Sequence, residues 1–341
     1  MVVTNAIELP RDQYLHPTAP NEWWWHIGTL SAGDRVFGFE INAATRSMFG
    51  QTISFTEIML TDVQGQIHYE KTTVIPFDPA WAESDQTKPW YCRLTAANGD
   101  GSVSMTALAS NIESMTVSAS FVDAASGETV SFDLNMRQEG PPLLVWGDGV
   151  SPKPVGSGTD PLQVYNYYYS FTNLQASGTI TVGSETWQVK GVTWMDHEYG
   201  AFASSQAWVL QDAQLDNGVH LSSFFASTPP VEGQQTPSFV TILTPDGNST
   251  FFNSLTTPLG PLWKSPEGVS YCLTYQVDIE DVGACLTFVS SMPDQEFASQ
   301  YAPVYEGVAT VAGHYGADAV RGTGWIEQAL GPLQAKATAV P

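Results

Sequence analysis

Apolar and polar residues alternate along most of the chain, and such alternation is typical of β-strands that bury one face. Turn-forming pairs such as Asn98-Gly99, Asn217-Gly218 and Asp246-Gly247 separate the alternating segments. The pattern predicts an all-β protein without long amphipathic helices. The predicted strands are 22–27, 35–43, 102–110, 114–122, 129–136, 163–171, 178–182, 186–194, 206–215, 218–226, 268–279, 284–291, 305–313 and 322–329.

Many short strands at this spacing indicate β-sandwiches or β-barrels. The chain has 341 residues, a length that favours two domains, each large enough to bury its own core. Two segments rich in Pro and Gly, 140–161 and 227–237, interrupt the alternation. We interpret the first and longer one as a lid or a crossing loop.

The charge balance and the length of the apolar runs argue against nucleic acids and membranes as partners. Only 12 Lys and Arg residues oppose 35 Asp and Glu, which gives a net charge of −23, and no basic stripe is present to hold a phosphate backbone. We therefore expect no nucleic-acid binding, and the short apolar runs predict no membrane insertion.

The N-terminus shows no signal-peptide pattern, and the three cysteines form no CxxC motif. These features predict a cytoplasmic location with reduced thiols. A bridge between Cys272 and Cys285 across neighbouring strands is the alternative.

The segment NEWWWHIGTL (21–30) places three tryptophans between a carboxylate and a histidine. Alternation along a strand puts an acid, a ring and a base on one face and apolar side chains on the other. The first face carries Glu22, Trp24 and His26, and the second carries Trp23, Trp25 and Ile27. Two interpretations stay open: a tryptophan plug that closes a barrel, and one wall of an apolar active site.

A second segment, GVTWMDHEYG (191–200), repeats the mixture of rings and proton-transfer groups. Alternation separates Trp194, Asp196 and Glu198 on one face from Met195, His197 and Tyr199 on the other. Indole surface beside a carboxylate excludes water, which raises the pKa of the carboxyl group and suits it to general acid catalysis. The alternatives are a structural polar cluster and a metal site. Neighbouring strand residues point in opposite directions and no His-Glu-x-x-His motif is present, so we predict no metal.

The segment YNYYYSF (165–171) places Tyr165, Tyr167, Tyr169 and Phe171 on one face and Tyr168 on the other. This pattern fits ordinary cross-strand packing, and it equally fits an aromatic wall that stabilises a cation or stacks on a polyene. No G-x-S-x-G elbow, P-loop or dinucleotide fingerprint stands in a convincing context. Serine hydrolysis and nucleotide chemistry are therefore disfavoured, and no cofactor is predicted.

Five segments, in order along the chain, resemble a known family. They are HPTAPNEWWWHIGTL (16–30), FGFEI (37–41), YNYYYSFTNLQASGTITV (165–182), VKGVTWMDHEYG (189–200) and VYEGVATVAG with VRGTGWIEQ (304–328). The family is that of the lipocalin-like proteins that include AttH-type bacterial proteins, carotenoid 1,2-hydratase, kievitone hydratase and fungal Diels–Alderases. This chain departs from the usual Trp-Trp-Tyr of the first motif, and it has Tyr199 where Trp is common.

The resemblance implies two lipocalin-like β-barrel or β-sandwich domains, with a ligand pocket at or near their junction. We predict an N-terminal domain at 1–200, a C-terminal barrel at 201–330 and a tail at 331–341. It also implies an enzyme of specialised metabolism whose substrate is an apolar unsaturated small molecule, namely an isoprenoid, a polyketide or a prenylated phenolic.

The favoured reaction is acid–base addition or removal of water, with or without ring closure. A pericyclase of the Diels–Alderase type and a non-catalytic hydrophobe carrier are the alternatives, and the oligomeric state is left open. Asp196 is the predicted acid, and its candidate catalytic partners are Glu22, His26, His197 and Glu198. The candidate substrate-binding residues are Trp24, Tyr167, Tyr169, Trp194, Tyr199 and Trp208.

Overall fold

The computed structural model describes residues 7–48, 50–108, 111–202, 207–226, 229–298 and 303–330. The chain divides into two compact units, one of Met1–Gln64 with Tyr69–Ala203 and one of Gly65–His68 with Ser204–Pro341. Regular structure is almost entirely strand, so the all-β prediction is confirmed. Among the described residues, no helix has the length and apolarity needed to cross a bilayer. The predicted strand residues 109–110 and 206 and the predicted tail 331–341 lie outside the described residues.

The first sheet has eleven strands in the order β4-β3-β2-β1-β11-β10-β8-β7-β6-β5, with β9 paired to β10. The strands are β1 (Asn21–Ala32), β2 (Arg35–Met48), β3 (Gln51–Asp62), β4 (Ile67–Ile75), β5 (Tyr91–Leu94), β6 (Ser102–Leu108), β7 (Asn111–Val122), β8 (Thr129–Gln138), β9 (Leu143–Leu144), β10 (Asn166–Val182) and β11 (Glu185–Gly200). Short 3₁₀ helices lie at Arg11–Gln13, Val145–Gly147 and Pro161–Gln163.

One face of this sheet encloses the core of the first unit. On β8, Val130, Phe132 and Leu134 are buried while the residues between them are more exposed, as alternation requires. Trp24 is fully buried in the same core, with its ring centroid 5.3 Å from that of Trp81 and 5.4 Å from that of Trp90. Segment 22–27 is therefore a buried strand whose tryptophan packs among other rings.

The second sheet has nine strands in the order β19-β18-β15-β14-β13-β12-β22-β21-β20. Because β19 also pairs with β21, eight of these strands close into a barrel. The remaining strands are β12 (Trp208–Leu215), β13 (His220–Ala226), β14 (Thr236–Leu243), β15 (Ser249–Pro258), β16 (Trp263–Lys264), β17 (Ser270–Tyr271), β18 (Thr274–Ile279), β19 (Ala284–Ser290), β20 (Glu296–Phe297), β21 (Val304–Tyr315) and β22 (Asp318–Ala329). A 3₁₀ helix lies at Glu280–Val282.

Several element boundaries differ from the sequence prediction. The predicted strands 163–171 and 178–182 are parts of one strand, β10, which continues through a bulge after Phe171. Segment 140–161, interpreted above as a lid or a crossing loop, contains β9 and a 3₁₀ helix. The sequence prediction missed β3, β4, β5, β9, β14, β15, β16 and β20. Strand β3 is buried on both faces over its second half and so shows no alternation there. Cys272 and Cys285 are free thiols.

Candidate active site

Three central strands, β1, β11 and β10, bring the sequence motifs together. Trp24 on β1 and Tyr169 on β10 both pair with His197 on β11, and one residue earlier on β11 Asp196 pairs with Trp25 and Ser170. We call the side that carries Trp24, His197 and Tyr169 the core face, because Trp24 and Tyr169 belong to the first core. The side that carries Trp25, Asp196 and Ser170 is the far face.

Asp196 lies buried on the far face among donors that are not cationic. Its Oδ1 accepts hydrogen bonds from Ser170 Oγ at 2.5 Å and from Trp194 Nε1 at 2.7 Å. Burial raises the pKa of Asp196 to about 6, although hydrogen bonds from Ser170, Trp194 and Tyr168 to the ionised form oppose that effect. A carboxyl group with this pKa gains and loses a proton close to neutral pH, as a general acid must.

A row of side chains crosses five adjacent strands at the level of Asp196. The paired residues, from β10 through β11, β1 and β2 to β3, are Ser170, Asp196, Trp25, Asn42 and Glu57. Asn42 Nδ2 donates to Glu57 Oε2 at 3.2 Å. Two buried atoms of the row, Trp25 Nε1 and Asn42 Oδ1, have no hydrogen-bond partner among the described residues. The row therefore combines an acid, an indole and an incompletely bonded amide.

A second carboxyl group of this row, that of Glu57, also has a raised pKa. Burial is the cause, and the charge of Arg46 and the hydrogen bond from Asn42 act against it. The Arg46 guanidinium lies 5.2 Å from the ring centroid of Trp23 and 5.6 Å from that of Phe55. The far face thus places this cation on aromatic rings and next to an acid.

A hydrogen-bonded network occupies the core face at the start of β1. Glu22 Oε1 lies 2.8 Å from His16 Nδ1 and 3.1 Å from His197 Nε2. The imidazole of His197 stacks on Trp24, with 4.4 Å between ring centroids, and its Nδ1 lies 3.4 Å from the Tyr169 hydroxyl. All these groups are buried except His16, whose side chain is 15% exposed.

The carboxyl group of this network has a lowered pKa, whereas the carboxyl groups of the far face have raised pKa values. Burial favours a neutral Glu22, but the charge and hydrogen bond of His16 outweigh it and lower the pKa of Glu22. Burial also lowers the pKa of His16, yet the charge of Glu22 and the hydrogen bond that the protonated ring donates to Asp12 raise it to about 9. The pKa of His197 is lowered, chiefly by burial. Glu22 is therefore an ionised acceptor, not a proton donor.

The core-face network also offers three metal-ligand atoms. One atom each from His16, Glu22 and His197 lies within 4.8 Å of the other two. An ion bound there would have to displace the protons that now join both imidazoles to Glu22.

The structure separates the sequence-predicted site residues. Asp196, Glu198 and Trp194 share the far face, and Glu198 accepts a hydrogen bond from Asn166. Trp208 lies on β12 in the second unit, where it donates to Glu327. The residues on the core face are Glu22, Trp24, His26, Tyr167, Tyr169, His197 and Tyr199. Asp196 and Glu22 therefore do not meet, because they project from opposite faces of one sheet.

Two predicted site residues on the core face, His26 and Tyr199, are packed inside the protein. His26 is fully buried, burial lowers its pKa to about 3, and neither ring nitrogen has a partner within the described ranges. Tyr199 stacks between Tyr167 and His16, with centroid distances of 5.0 and 3.7 Å. These rings form a packed column and not an open wall.

Sequence reasoning missed His16, Asn42 and Glu57. His16 stands in the first resembling segment, six residues before Glu22, and a histidine so close to the acid was a usable signal. Asn42 lies just beyond the second resembling segment. Glu57 had no signal, because its strand was not predicted and only the pairing of β3 with β2 brings it into the row.

Comparison with known proteins agrees with this architecture. The model of the AttH-like family matches residues 2–329. A candidate AttH protein from Nitrosomonas europaea has a similar solved structure, with a TM-score of 0.70, 20% identity, and coverage of 96% of this chain and 98% of that one. Kievitone hydratase from Nectria haematococca is similar at a TM-score of 0.72 and 16% identity, with coverage of 96% and 94%. No curated protein sequence matches the chain.

Proposed function

This chain belongs to the AttH-like family, and we propose that it is a hydratase-type enzyme that adds water to, or removes it from, an apolar unsaturated small molecule. The observation that carries the proposal is Asp196, a buried carboxyl group whose pKa is raised to about 6 beside the indole of Trp194. The fold likeness to kievitone hydratase supports the same reaction type.

The proposed reaction uses Asp196 as the acid. Its carboxyl proton passes to one alkene carbon, and the π electrons form the new C–H bond and leave a cation at the other carbon. The indole faces of Trp194 and Trp25 stabilise that cation. Water then forms the C–O bond and releases a proton, which restores the acid. Dehydration runs the same steps in reverse.

The substrate classes we propose are isoprenoids, polyketides and prenylated phenolics. A pericyclase acting on the far face is the second candidate. It is favoured by the indole N–H of Trp25, which has no partner among the described residues, because a hydrogen-bond donor can activate a reacting polyene. The third alternative, a non-catalytic carrier of a hydrophobic molecule, has less support than either enzyme. The donors that hold Asp196 are a hydroxyl, an indole and a phenol, and not arginine or backbone amides.

The decisive experiment replaces Asp196 with Asn. We expect D196N to keep ligand binding and melting temperature and to lose turnover by about 10²–10⁴, the usual contribution of general acid catalysis. Turnover is measured in D2O by mass spectrometry, as the gain or loss of water by test compounds from each of the three substrate classes.

Asp123→Asn is the matched control, because Asp123 is a buried carboxylate of the same unit that holds Ser126 and the backbone of Glu70. It should lower the melting temperature and spare turnover. Unchanged turnover in D196N with lowered stability would make Asp196 structural. Full retention of a cyclisation reaction would favour the pericyclase.

A further inference from the structure

The core-face network gathers ligand atoms of the kind that transition metals bind. His16, Glu22 and His197 each offer one such atom, and the three atoms lie within 4.8 Å of one another. Glu22 Oε1 lies 2.8 Å from His16 Nδ1 and 3.1 Å from His197 Nε2. A tetrahedral ion holds its nitrogen and oxygen ligands about 3.3 Å apart, since each lies about 2.0–2.1 Å from the metal. Small movements would therefore convert this network into a metal site.

The sheet and the segment before it place the three side chains together. Glu22 on β1 pairs with Tyr199 on β11, so it is a diagonal neighbour of His197 on the same face. The backbone N–H of His16 donates to Glu22 Oε2 at 3.0 Å, which orients the carboxylate and leaves Oε1 between the two rings. The sequence prediction of no metal considered the segment 191–200 and did not include His16.

The ring nitrogens that face away from the carboxylate have partners of their own. His16 Nε2 lies 3.5 Å from Asp12 Oδ1, and His197 Nδ1 lies 3.4 Å from the Tyr169 hydroxyl. That hydroxyl donates its proton to Gln13 Oε1, so its oxygen can accept from His197. Metal-bound histidines usually donate their other N–H to such an acceptor, which leaves the nitrogen at the metal unprotonated. Both rings are therefore held with the correct nitrogen toward one ion.

Zinc is the ion that fits this donor set. Two imidazole nitrogens and one carboxylate oxygen are common zinc ligands, and a water completes the four positions. Ions that prefer six ligands would need three more. Space for these is limited, because Trp24 stacks on His197 with 4.4 Å between ring centroids and Tyr199 stacks on His16 with 3.7 Å. The partly exposed side chain of His16 gives an ion access from solvent.

We propose that His16, Glu22 and His197 bind a zinc ion that ties the segment before β1 to β1 and β11. Binding releases the proton of His16 Nδ1 to solvent, while His197 carries its proton on Nδ1 and donates it to Tyr169. The site lies on the core face and Asp196 lies on the far face, so this inference does not rest on the proposed function.

The test measures zinc binding to the chain produced without a histidine tag and freed of metal with EDTA. Zn²⁺ is added at neutral pH in competition with a chromophoric chelator. We expect a single Zn²⁺ per chain with a Kd below about 1 μM. The melting temperature should rise with zinc, because only the folded chain assembles the ligands. X-ray absorption should show nitrogen and oxygen at about 2.0–2.1 Å from zinc and no sulfur at about 2.3 Å.

Three variants separate this site from adventitious binding. His16→Gln removes a ligand that precedes β1 and is partly exposed, so the strands keep their packing. It should weaken zinc binding by more than about 100-fold, since loss of an outer hydrogen-bond partner alone costs about 10–100-fold. Tyr169→Phe removes such a partner from His197 and should cause that smaller loss. His314→Gln, which changes an exposed histidine of the second unit, should leave the affinity unchanged.

Failure of the folded wild-type chain to bind zinc would overturn the proposal and leave the cluster as a hydrogen-bonded network. Zinc–sulfur distances, or full affinity in His16→Gln, would also overturn it, because the ion would then lie on cysteines or surface side chains. Circular dichroism checks that each variant is folded before affinities are compared. The proposed function is judged separately, because Asp196→Asn should bind zinc as the wild type does whether or not turnover is lost.

Discussion

At the scale of single residues, two carboxyl groups from the same pair of motifs have opposite proton affinities. Asp196 is held by uncharged donors and its pKa rises, whereas Glu22 lies against His16 and its pKa falls. Composition alone does not separate them, since each stands within four residues of a tryptophan and a histidine in the sequence. The neighbours across the sheet determine which one holds a proton.

The rate should therefore depend on the protonation of Asp196. We expect turnover of an alkene by the acid step to fall as the pH rises through about 6. Ser170→Ala removes a hydrogen bond that favours the ionised form, so the pKa of Asp196 and the falling limb should move up by about one pH unit or less. A pH–rate profile of both proteins makes the comparison. If the falling limb of the pH–rate profile moved to lower pH in Ser170→Ala, the assignment of Asp196 as the acid would be contradicted.

Alternation predicted correctly which motif residues share a face with one another. It did not predict which faces of different strands coincide, because that depends on pairing register between segments about 170 residues apart. Trp25 was assigned to an apolar face of β1, and the pairing with β11 shows that this is the face of Asp196. A shift of one residue in register would have placed Trp24 there instead.

At the scale of elements, Glu22 joins three parts of the chain. Its carboxylate bonds to the backbone N–H and the ring of His16, which precede β1, and to His197 on β11. These bonds are buried and charge-assisted, and such bonds are stronger than neutral ones. They fix the start of β1 against β11, three residues before Trp25 on β1 and one residue after Asp196 on β11.

This network gives stability a defined dependence on pH. The pKa of His16 rises from 6.5 to about 9 in the folded chain. Its contribution is therefore complete below about pH 6.5 and is lost as the pH rises through 9. We expect the melting temperature to fall across that window, because the folded state loses stabilisation on the order of 3 kcal/mol.

His16→Gln should flatten this dependence, whereas replacement of the exposed His314 by Gln should leave it intact. Thermal melts at half-unit pH steps make the comparison. An unchanged slope in His16→Gln would show that other groups cause the dependence.

At one position of β11, the backbone of β1 lies so close that only glycine fits without a clash. A Cβ at Gly191 would lie 2.1 Å from the carbonyl oxygen of Thr29 on β1. We expect Gly191→Ala to lower the free energy of unfolding by about 1–3 kcal/mol, the usual cost of overpacking, and chemical denaturation measures it. No change in the denaturation midpoint would mean that β1 shifts without cost.

The strands that were not predicted have local physical explanations. The second half of β3 is buried on both faces, and β4 is mostly partly exposed, so neither alternates strongly. Strand β14 contains Pro237, a residue that is unusual inside strands and that marked the segment as a loop. The strands that were predicted, such as β7 and β8, have one buried and one more exposed face along their length.

At the scale of the whole molecule, the excess of acid should affect stability. A net charge of −23 makes the folded chain repel itself. We expect the melting temperature to rise by a few degrees as NaCl increases from about 10 mM to about 300 mM, because the screening length shortens over that range. Differential scanning calorimetry at constant pH tests this. A fall with salt would mean that favourable ion pairs outweigh the repulsion.

Sequence reasoning predicted the all-β class and two barrel-like units, and it did not predict how the second sheet closes. In the second unit, closure depends on β19 pairing with both β18 and β21. The pairing with β18 is between neighbours in the chain, but the pairing with β21 is between segments separated by β20. Alternation describes each strand alone, so it carries no information on such pairings.

The row formed by Ser170, Asp196, Trp25, Asn42 and Glu57 has a consequence for how this chain can be altered. Each member stands on its own strand, and its sequence neighbours point to the opposite face. Substitutions at 25, 42 and 57 therefore change the far face while leaving the side chains of the core-face network and of Asp196 unaltered. Changes on the far face and changes on the core face can therefore be combined in one protein, because the two faces use different residues of the same strands.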